Sequence, residues 1–216
     1  MKINDTLASP TNTWFTSDLH YGHGNICRGV SKWELKEESA RNFETVHDMN
    51  DCIIDGINSN VKSNDILIIL GDLCFGNPYN LYILKQRIIC DNILIILGNH
   101  DKNLRDNKAI KTDHGIEYPQ NLFPNIDSYK KIAIEKQDIV MCHYAFRVWD
   151  GGHRGTWNLH GHSHSTLPPM GKQLDVGVDN AIKILGEYRP FSFEEVRDIM
   201  NLNETVFLDH HIEITD

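Results

Sequence analysis

The pentapeptide Ile66-Leu67-Ile68-Ile69-Leu70, followed by Gly71-Asp72, decides how this chain folds. The same letters, ILIIL, recur at 93–97 and are again followed by glycine. Apolar runs of this length are typical of strands that are buried on both faces of a sheet. A helical pattern over 79–89 separates the two copies, so the sequence predicts a β-α-β unit. Two copies are too few to predict a solenoid repeat.

The rest of the chain extends this unit in both directions. A strand is predicted over 13–17, and an amphipathic helix over 40–58 from apolar residues at helical spacing. Shorter strands are predicted at 128–135, 138–143, 156–160, 173–178 and, as a final edge strand, 205–214. Ser192 should cap a helix that carries acidic residues in its first turn. The first half therefore reads as α/β and the second as rich in β-structure, and without a linker we expect one domain over 1–216.

The composition is that of an ordinary globular protein of 216 residues, with 40% hydrophobic and 24% charged residues. The formal net charge of −9 argues against a large basic surface, so long nucleic acids are not expected as partners. A small phosphate compound remains compatible, because bound divalent ions reverse the local potential. No apolar run is long enough to span a bilayer, and the polar residues 1–10 do not resemble a signal peptide. We therefore expect a cytoplasmic protein without a membrane partner, and its oligomeric state stays open.

Side chains that bind metals cluster where the predicted strands end. In chain order these segments are Asp18-Leu19-His20, Gly71-Asp72, Gly98-Asn99-His100-Asp101, His143 and Gly161-His162-Ser163-His164. In open α/β sheets ligands gather at the carboxyl ends of the strands. Imidazole, carboxylate and amide groups without a thiolate suit borderline divalent ions. The five cysteines are scattered and form no C-x-x-C pair, so neither a zinc ribbon nor a disulfide framework is indicated.

In this order, the five motifs resemble those of the calcineurin-like metallophosphoesterases, and the stretches 17–23 and 174–179 resemble a small bacterial and phage subgroup. The resemblance implies an α/β/β/α fold, in which a two-sheet β-sandwich is flanked by helices. It also implies two divalent metal ions. Asp18, His20 and His164 would hold the first ion, Asn99, His143 and His162 the second, and Asp72 would bridge them. We favour manganese because the ligand set is rich in oxygen, with iron, zinc or nickel as alternatives.

The same resemblance assigns the catalytic groups. His100 would donate a proton to the leaving oxygen or steady the transition state, and Asp101 would orient that histidine or support the turn. The protein phosphatases of this superfamily carry an aspartate and an arginine shortly after G-D and usually read G-N-H-E. This chain has Leu73-Cys74-Phe75-Gly76 there and reads G-N-H-D. A small phosphodiester such as a nucleotide is therefore favoured over a phosphoprotein.

Other functions stay open beside this one: a phosphomonoesterase, a nuclease acting on short nucleic acid, and a non-catalytic scaffold like a retromer subunit. A scaffold should lack the histidine of G-N-H, which this chain keeps as His100.

Three residues are candidate substrate contacts. His23 follows His20 on the same loop, and it either meets the phosphate or is an ordinary loop histidine. Arg147 and Arg154 lie between two ligand segments, and a guanidinium matches phosphate oxygens well, although both could be solvated loop arginines. Trp149 and Trp157 are weighed as stacking partners for a base and, more often in such segments, as packing anchors. His160 is expected to be a strand residue or a partner of a metal ligand.

Overall fold

A computed structural model describes residues 9–33 and 40–207 of the chain. The helices are α1 Val46–Asn60, α2 Tyr79–Arg87, α3 Lys102–Arg105, α4 Pro119–Leu122, α5 Val178–Leu185 and α6 Phe193–Leu202. Strands β1 to β6 are Thr13–Thr16, Ile66–Ile69, Asn92–Ile96, Ile110–Thr112, Gly115–Glu117 and Asn125–Asp127. Strands β7 to β11 are Tyr129–Ile134, Gln137–Cys142, Trp157–His160, Gln173–Asp175 and Phe191–Ser192. Short 3-10 turns lie at Gly24–Ile26 and Gly152–Arg154.

Two sheets form the framework. The first has the order β11-β1-β2-β3-β6, with β1, β2, β3 and β6 parallel and β11 antiparallel to β1. The second has the order β10-β9-β8-β7, in which β8, β9 and β10 are parallel. The β-α-β unit predicted from the two ILIIL runs is confirmed, because β2 and β3 pair in register on either side of α2.

Alternate residues of the ILIIL strands enter two different cores. Ile68 packs with Ile139 and Met141 of the second sheet, so this face of the first sheet is the interior of the sandwich. Leu67 packs with Met49 and other apolar residues of α1 and α2, which cover the opposite face. Both faces of β2 are therefore buried, which explains its uninterrupted apolar sequence. The predicted α/β class, a two-sheet sandwich flanked by helices, is confirmed.

The structure corrects several predicted boundaries. The helix predicted over 40–58 begins only at Val46, because Thr45 is in an extended conformation and its side chain accepts a hydrogen bond from the Asp48 amide. Ser192 does cap α6, in a capping box with Glu195. The hairpin β4–β5, strands β6 and β11, and helix α5 were not predicted.

The predicted edge strand over 205–214 is not found in the part that the structure describes. Residues 205–207 belong to no strand, and 208–214 lie outside the described residues. Within the described ranges, no helix combines the length and the apolar character needed to cross a bilayer.

Candidate metal centre

The ends of β1 and β2 are joined by a backbone ladder that continues past both strands. The Asp18 amide donates to the Gly71 carbonyl at 2.9 Å, and the His20 amide donates to the Asp72 carbonyl at 2.9 Å. Parallel strands in register bring their carboxyl ends to the same edge of the sheet. The D-x-H and G-D motifs are therefore held side by side by the main chain.

Five of the seven predicted ligands have a left-handed backbone conformation. The φ angles of Asp18, His20, Asp72, His162 and His164 lie between 47° and 67°. Such conformations are uncommon for residues with a Cβ and cost roughly 1–3 kcal/mol each when the surroundings enforce them. The backbone is thus locally strained at the residues whose side chains converge, which is a frequent property of functional sites.

The first cluster consists of Asp18, His20 and His164, whose ligand atoms all lie within 4.8 Å of one another. Asp18 Oδ1 is 3.9 Å from His20 Nε2 and 3.8 Å from His164 Nε2. Among the described residues, Asp18 Oδ1 and His20 Nε2 are buried without any hydrogen-bond partner. Buried polar atoms are nearly always paired, so these two atoms fit the ligands of a cation.

The second cluster consists of Asp72, His143 and His162, again within 4.8 Å of one another. His143 Nε2 is 3.5 Å from Asp72 Oδ2 and 3.0 Å from Asn99 Oδ1. The structure therefore brings Asn99 to the same cluster. All seven residues that the resemblance implied as ligands lie together in two groups.

The Asp72 carboxylate lies between the two groups. Its Oδ2 is 3.6 Å from His20 Nε2 in the first cluster and 3.5 Å from His143 Nε2 in the second. Its Oδ1 accepts a hydrogen bond from the His100 amide at 2.8 Å, which fixes the plane of the carboxylate. This arrangement fits a carboxylate that bridges two ions.

Two ligand imidazoles are oriented through their Nδ1 atoms. His143 Nδ1 donates to the Leu70 carbonyl at 2.7 Å, and His164 Nδ1 donates to the Asp179 carboxylate at 2.6 Å. Nε2 of each ring therefore faces the cluster and would offer its lone pair to a metal ion once any proton there is displaced, which is the usual orientation of histidines that bind metals.

Three residues without a predicted role hold the candidate ligands and their turns in position, namely Asp179, Arg41 and Asp175. The Asp179 carboxylate also binds buried Arg41 through Nε at 2.8 Å and Nη2 at 2.9 Å. Arg41 in turn donates to the carbonyls of Asp18, at 2.5 Å, and Leu19, at 2.9 Å. The Asp175 carboxylate accepts hydrogen bonds from the G-H-x-H turn, namely from the Ser163 hydroxyl at 2.7 Å and the Ser165 amide at 2.9 Å.

The sequence indicated the two aspartates more clearly than it indicated Arg41. The run 174–179 contains both aspartates and stood out in the family resemblance, whereas nothing local to Arg41 indicates its role.

Asp101 supports the turn and does not orient His100. Its carboxylate accepts hydrogen bonds from the amides of Asp72, at 2.8 Å, Leu73, at 2.9 Å, and Gly98, at 2.8 Å. The sequence left two roles open for Asp101, namely orienting His100 or supporting the turn. The contacts in the structure are those of a residue that supports the turn. His100 is exposed, and its ring lies 5.5 Å from the His20 ring, at the rim of the clusters.

Two glycines are required by close approaches at the site. A Cβ on Gly98 would lie 2.6 Å from the Asp72 amide nitrogen and would overlap the Asp72 carboxylate. A Cβ on Gly161 would overlap the side chains of Ser17 and Asp18. The glycines of G-N-H-D and G-H-x-H therefore allow the ligand segments to come together.

Burial and mutual charge perturb the ligands strongly. Burial raises the pKa of Asp18 to about 6 and lowers the pKa of His20 well below its usual value. Burial also acts to raise the pKa of Asp72 and to lower that of His143. Their ion pair outweighs burial and brings the pKa of Asp72 to about 2 and that of His143 to about 9. Without cations the site therefore retains protons that arriving metal ions must displace.

His23 lies within the centre. Its ring stacks on Phe75 with centroids 3.8 Å apart, and its Nδ1 lies 3.2 Å from the Nδ1 of His20. Burial lowers the pKa of His23 to about 4, so the ring is neutral near pH 7. The structure thus places His23 beside a ligand, where a neutral imidazole can make a hydrogen bond but supplies no positive charge.

The two predicted arginine contacts are not brought to the centre. Arg154 precedes β9, and the carbonyl of the next residue binds Gln137, the first residue of β8. Since β8 and β9 are parallel and His143 follows the last residue of β8, Arg154 lies at the opposite end of the sheet. Arg147 is exposed and follows Phe146, which is tied to Asn158 and Gln173 near that same end.

The loop between His143 and β9 runs back along the sheet, away from the metal centre. The prediction that Arg147 or Arg154 contacts the substrate is therefore corrected. The two tryptophans act in packing: Trp149 Nε1 donates to the Thr156 carbonyl at 2.8 Å, and Trp157 lies in the sandwich core. His160 is a buried residue of β9, as expected.

A two-sheet sandwich with two His/Asp clusters around a shared carboxylate fits the class of metal-dependent phosphoesterases. The chain belongs to the calcineurin-like phosphoesterase family, whose model matches residues 11–215. The family is metal-dependent and indicates a phosphoric ester hydrolase, and the two clusters are candidate metal-binding groups.

Three solved structures are similar to this chain, and the first of them shows the same fold. A protein of unknown function from Aquifex aeolicus, AQ665, has a TM-score of 0.59 at 19% identity, covering 89% of this chain and 100% of that one. The phosphoesterase YfcE from E. coli has a TM-score of 0.40 at 16% identity, covering 77% and 78%. Vacuolar Protein Sorting 29 from Cryptosporidium parvum has 0.38 at 16% identity, covering 76% and 72%. No curated protein sequence matches this chain.

Proposed function

We propose that this protein is a dinuclear metal-dependent phosphodiesterase that hydrolyses a small phosphodiester such as a nucleotide. The observation that carries the proposal is the position of Asp72 Oδ2, 3.6 Å from a histidine of one cluster and 3.5 Å from a histidine of the other. Asp18, His20 and His164 would hold one cation and Asn99, His143 and His162 the other, with Asp72 between them. Such a pair suits a phosphate bound across both ions.

Manganese is the proposed metal. The seven candidate ligands offer imidazole, carboxylate and amide groups and no thiolate, which suits manganese, with iron, zinc and nickel as alternatives. When bound, two such ions supply Lewis-acid charge for the phosphate and lower the pKa of the attacking water.

The chain's own residues would complete the reaction. The backbone hydrogen bonds between the turns after β1 and β2 would hold these candidate ligands in position before the substrate arrives. His100 is exposed at the rim, and its backbone amide is fixed to Asp72 Oδ1 at 2.8 Å. We assign His100 the donation of a proton to the leaving oxygen, because it lies beside the clusters while its ring belongs to neither ligand group.

A diester is preferred to a phosphoprotein for reasons of sequence and charge. The segment after Asp72 lacks the aspartate and arginine of the protein phosphatases, and the chain reads G-N-H-D. The net charge of −9 disfavours a long nucleic acid, so we favour a small diester as the substrate.

The proposal is tested by removing and restoring the metal. Exhaustive chelation should abolish hydrolysis of bis(p-nitrophenyl) phosphate, and manganese should restore it better than iron, zinc or nickel. Under the same metal condition, p-nitrophenyl phosphate should give a lower kcat/KM. Full activity of the metal-free protein would overturn the metal mechanism, and a higher kcat/KM for the monoester would overturn the diesterase assignment.

A further inference from the structure

A cavity of about 930 Å³ adjoins the metal centre on the side of His164. The ligands His162 and His164 form part of its wall, so a molecule in the cavity would touch the metal clusters directly. Small-molecule sites usually have volumes of about 300–1,000 Å³, so this cavity has room for a group the size of a nucleoside.

The remaining wall combines polar side chains with large apolar ones, namely Trp33, Leu167, Ile182 and Tyr188. Trp33 and Leu167 line it with 40% and 48% of their surface exposed, and half-buried Tyr188 lies between the cavity and the core. Large apolar side chains that stay exposed around a concave site are typical of surfaces that receive a ligand. A flat group would bury these surfaces, and an aromatic one would also stack on the tryptophan.

Two basic side chains line the cavity in the part of the chain that the structure describes, and they differ in what they can offer a ligand. The Arg41 guanidinium is engaged by Asp179. Lys183 is exposed on the wall, and its Nζ makes a 3.1 Å hydrogen bond to the Ser165 carbonyl. An ammonium has three donors, so Lys183 keeps donors for a polar or anionic edge of a ligand.

The catalytic candidate His100 lies on a different part of the centre. The His20 ring is 5.5 Å from the His100 ring and 5.1 Å from the His164 ring, and only His164 of these lines the cavity. A phosphate over the clusters would therefore have one ester oxygen near His100 and another toward the cavity. The two ester groups of a diester would occupy two distinct places.

We propose that this cavity binds the retained ester group of the substrate, and that this group is an aromatic one of nucleoside size. The inference rests on the proposed phosphodiesterase function and adds to it the place and chemistry of the group that does not leave. It also replaces the loop between His143 and β9 as the location of substrate recognition.

The test compares esters that share one leaving group. The manganese-loaded full chain is assayed with the p-nitrophenyl esters of methyl phosphate and of thymidine 5′-monophosphate, both of which release p-nitrophenolate. Stacking of one base is worth about 5- to 150-fold, so kcat/KM for the thymidine ester should exceed that for the methyl ester within this range. Equal values would overturn the proposal.

Variants of the cavity wall test whether the thymidine group binds in this cavity. Trp33→Ala and Leu167→Asn should each lower the ratio of kcat/KM for the thymidine ester to kcat/KM for the methyl ester by at least about fivefold. Ile116→Asn is the matched control, because Ile116 is another exposed aliphatic residue, at 61% exposure on the hairpin β4–β5. If both cavity variants behave like the control, the cavity is not the subsite.

A binding experiment keeps this inference separate from the proposed function. Calorimetric titration of the manganese-loaded protein with thymidine 5′-monophosphate and with methyl phosphate requires no turnover. The nucleotide should bind at least about fivefold more tightly, and Trp33→Ala should remove the difference. Absence of diester hydrolysis together with this binding pattern would reject the catalytic proposal and keep the subsite. Hydrolysis of both esters without this binding pattern would keep the catalytic proposal and reject the subsite.

Discussion

Replacing Asp179 by asparagine tests how the metal centre is supported. The Asp179 carboxylate accepts from His164 Nδ1 at 2.6 Å and from the Arg41 guanidinium at 2.8 and 2.9 Å. An asparagine at this position would keep the shape of the side chain and lose its charge. The substitution thus weakens the orientation of a metal ligand and leaves the positive charge of Arg41 buried without its counter-ion.

The two consequences have different magnitudes. Loss of the partner behind a metal-binding histidine typically costs about 10- to 100-fold in metal affinity. Leaving a buried charge unpaired typically costs about 3–5 kcal/mol, and the remaining amide oxygen should keep the loss near the lower figure. At about 2–4 °C per kcal/mol for a chain of this size, Tm of the metal-free protein should fall by about 6–12 °C.

Calorimetry separates these effects. Titration with manganese gives the affinity of the folded protein, and a thermal scan without metal gives Tm. The double variant Arg41→Gln with Asp179→Asn removes the unpaired charge, so it should recover at least half of the lost stability while manganese affinity stays low. Asp127→Asn is the matched control, since Asp127 forms a partly exposed ion pair worth less than about 1 kcal/mol.

Two results would refute this reasoning. Manganese affinity of Asp179→Asn within twofold of the unaltered protein would show that Asp179 does not orient His164. A double variant less stable than the single one would show that the buried charge of Arg41 is not the source of the instability.

Three further outcomes are expected from the centre itself. His100→Asn should lower kcat on a diester by about 10²- to 10⁴-fold with unchanged metal content, measured by steady-state kinetics and elemental analysis, and loss of metal would instead make His100 a ligand. Because burial raises the pKa of Asp18 to about 6, its ionised form is lost as the pH falls through 6. Protonation of Asp18 should then weaken manganese affinity by up to about tenfold per pH unit below pH 6, and equal dissociation constants at pH 5 and pH 8 would contradict this. Gly98→Ala should displace Asp72 and abolish manganese binding in a titration, whereas Gly24→Ala, whose Cβ would meet its nearest atom at 3.8 Å, should bind manganese normally.

The sequence alone predicted the β-α-β unit and the candidate ligands that the structure brings together in two clusters. Uninterrupted apolar runs such as 66–70 identify strands buried on both faces, and the polar residues that follow such strands must lie at one edge of a parallel sheet. The order of the five motifs then indicated the family. Asp18, Asp72 and His143 could be found in this way because each lies within three residues after the end of a strand, where local pattern and position in the fold coincide.

The tertiary structure decided whatever depends on the path of the chain between strands. Arg154 and His162 are only eight residues apart, but β9 lies between them, so they end at opposite ends of the sheet. Arg41 and Asp179 are separated by 138 residues and meet behind the ligands. No local periodicity encodes such a pairing, because it arises only when α5 and the segment before α1 pack against the turn after β1. The cavity beside His164 has the same origin, since its wall is assembled from segments remote in sequence.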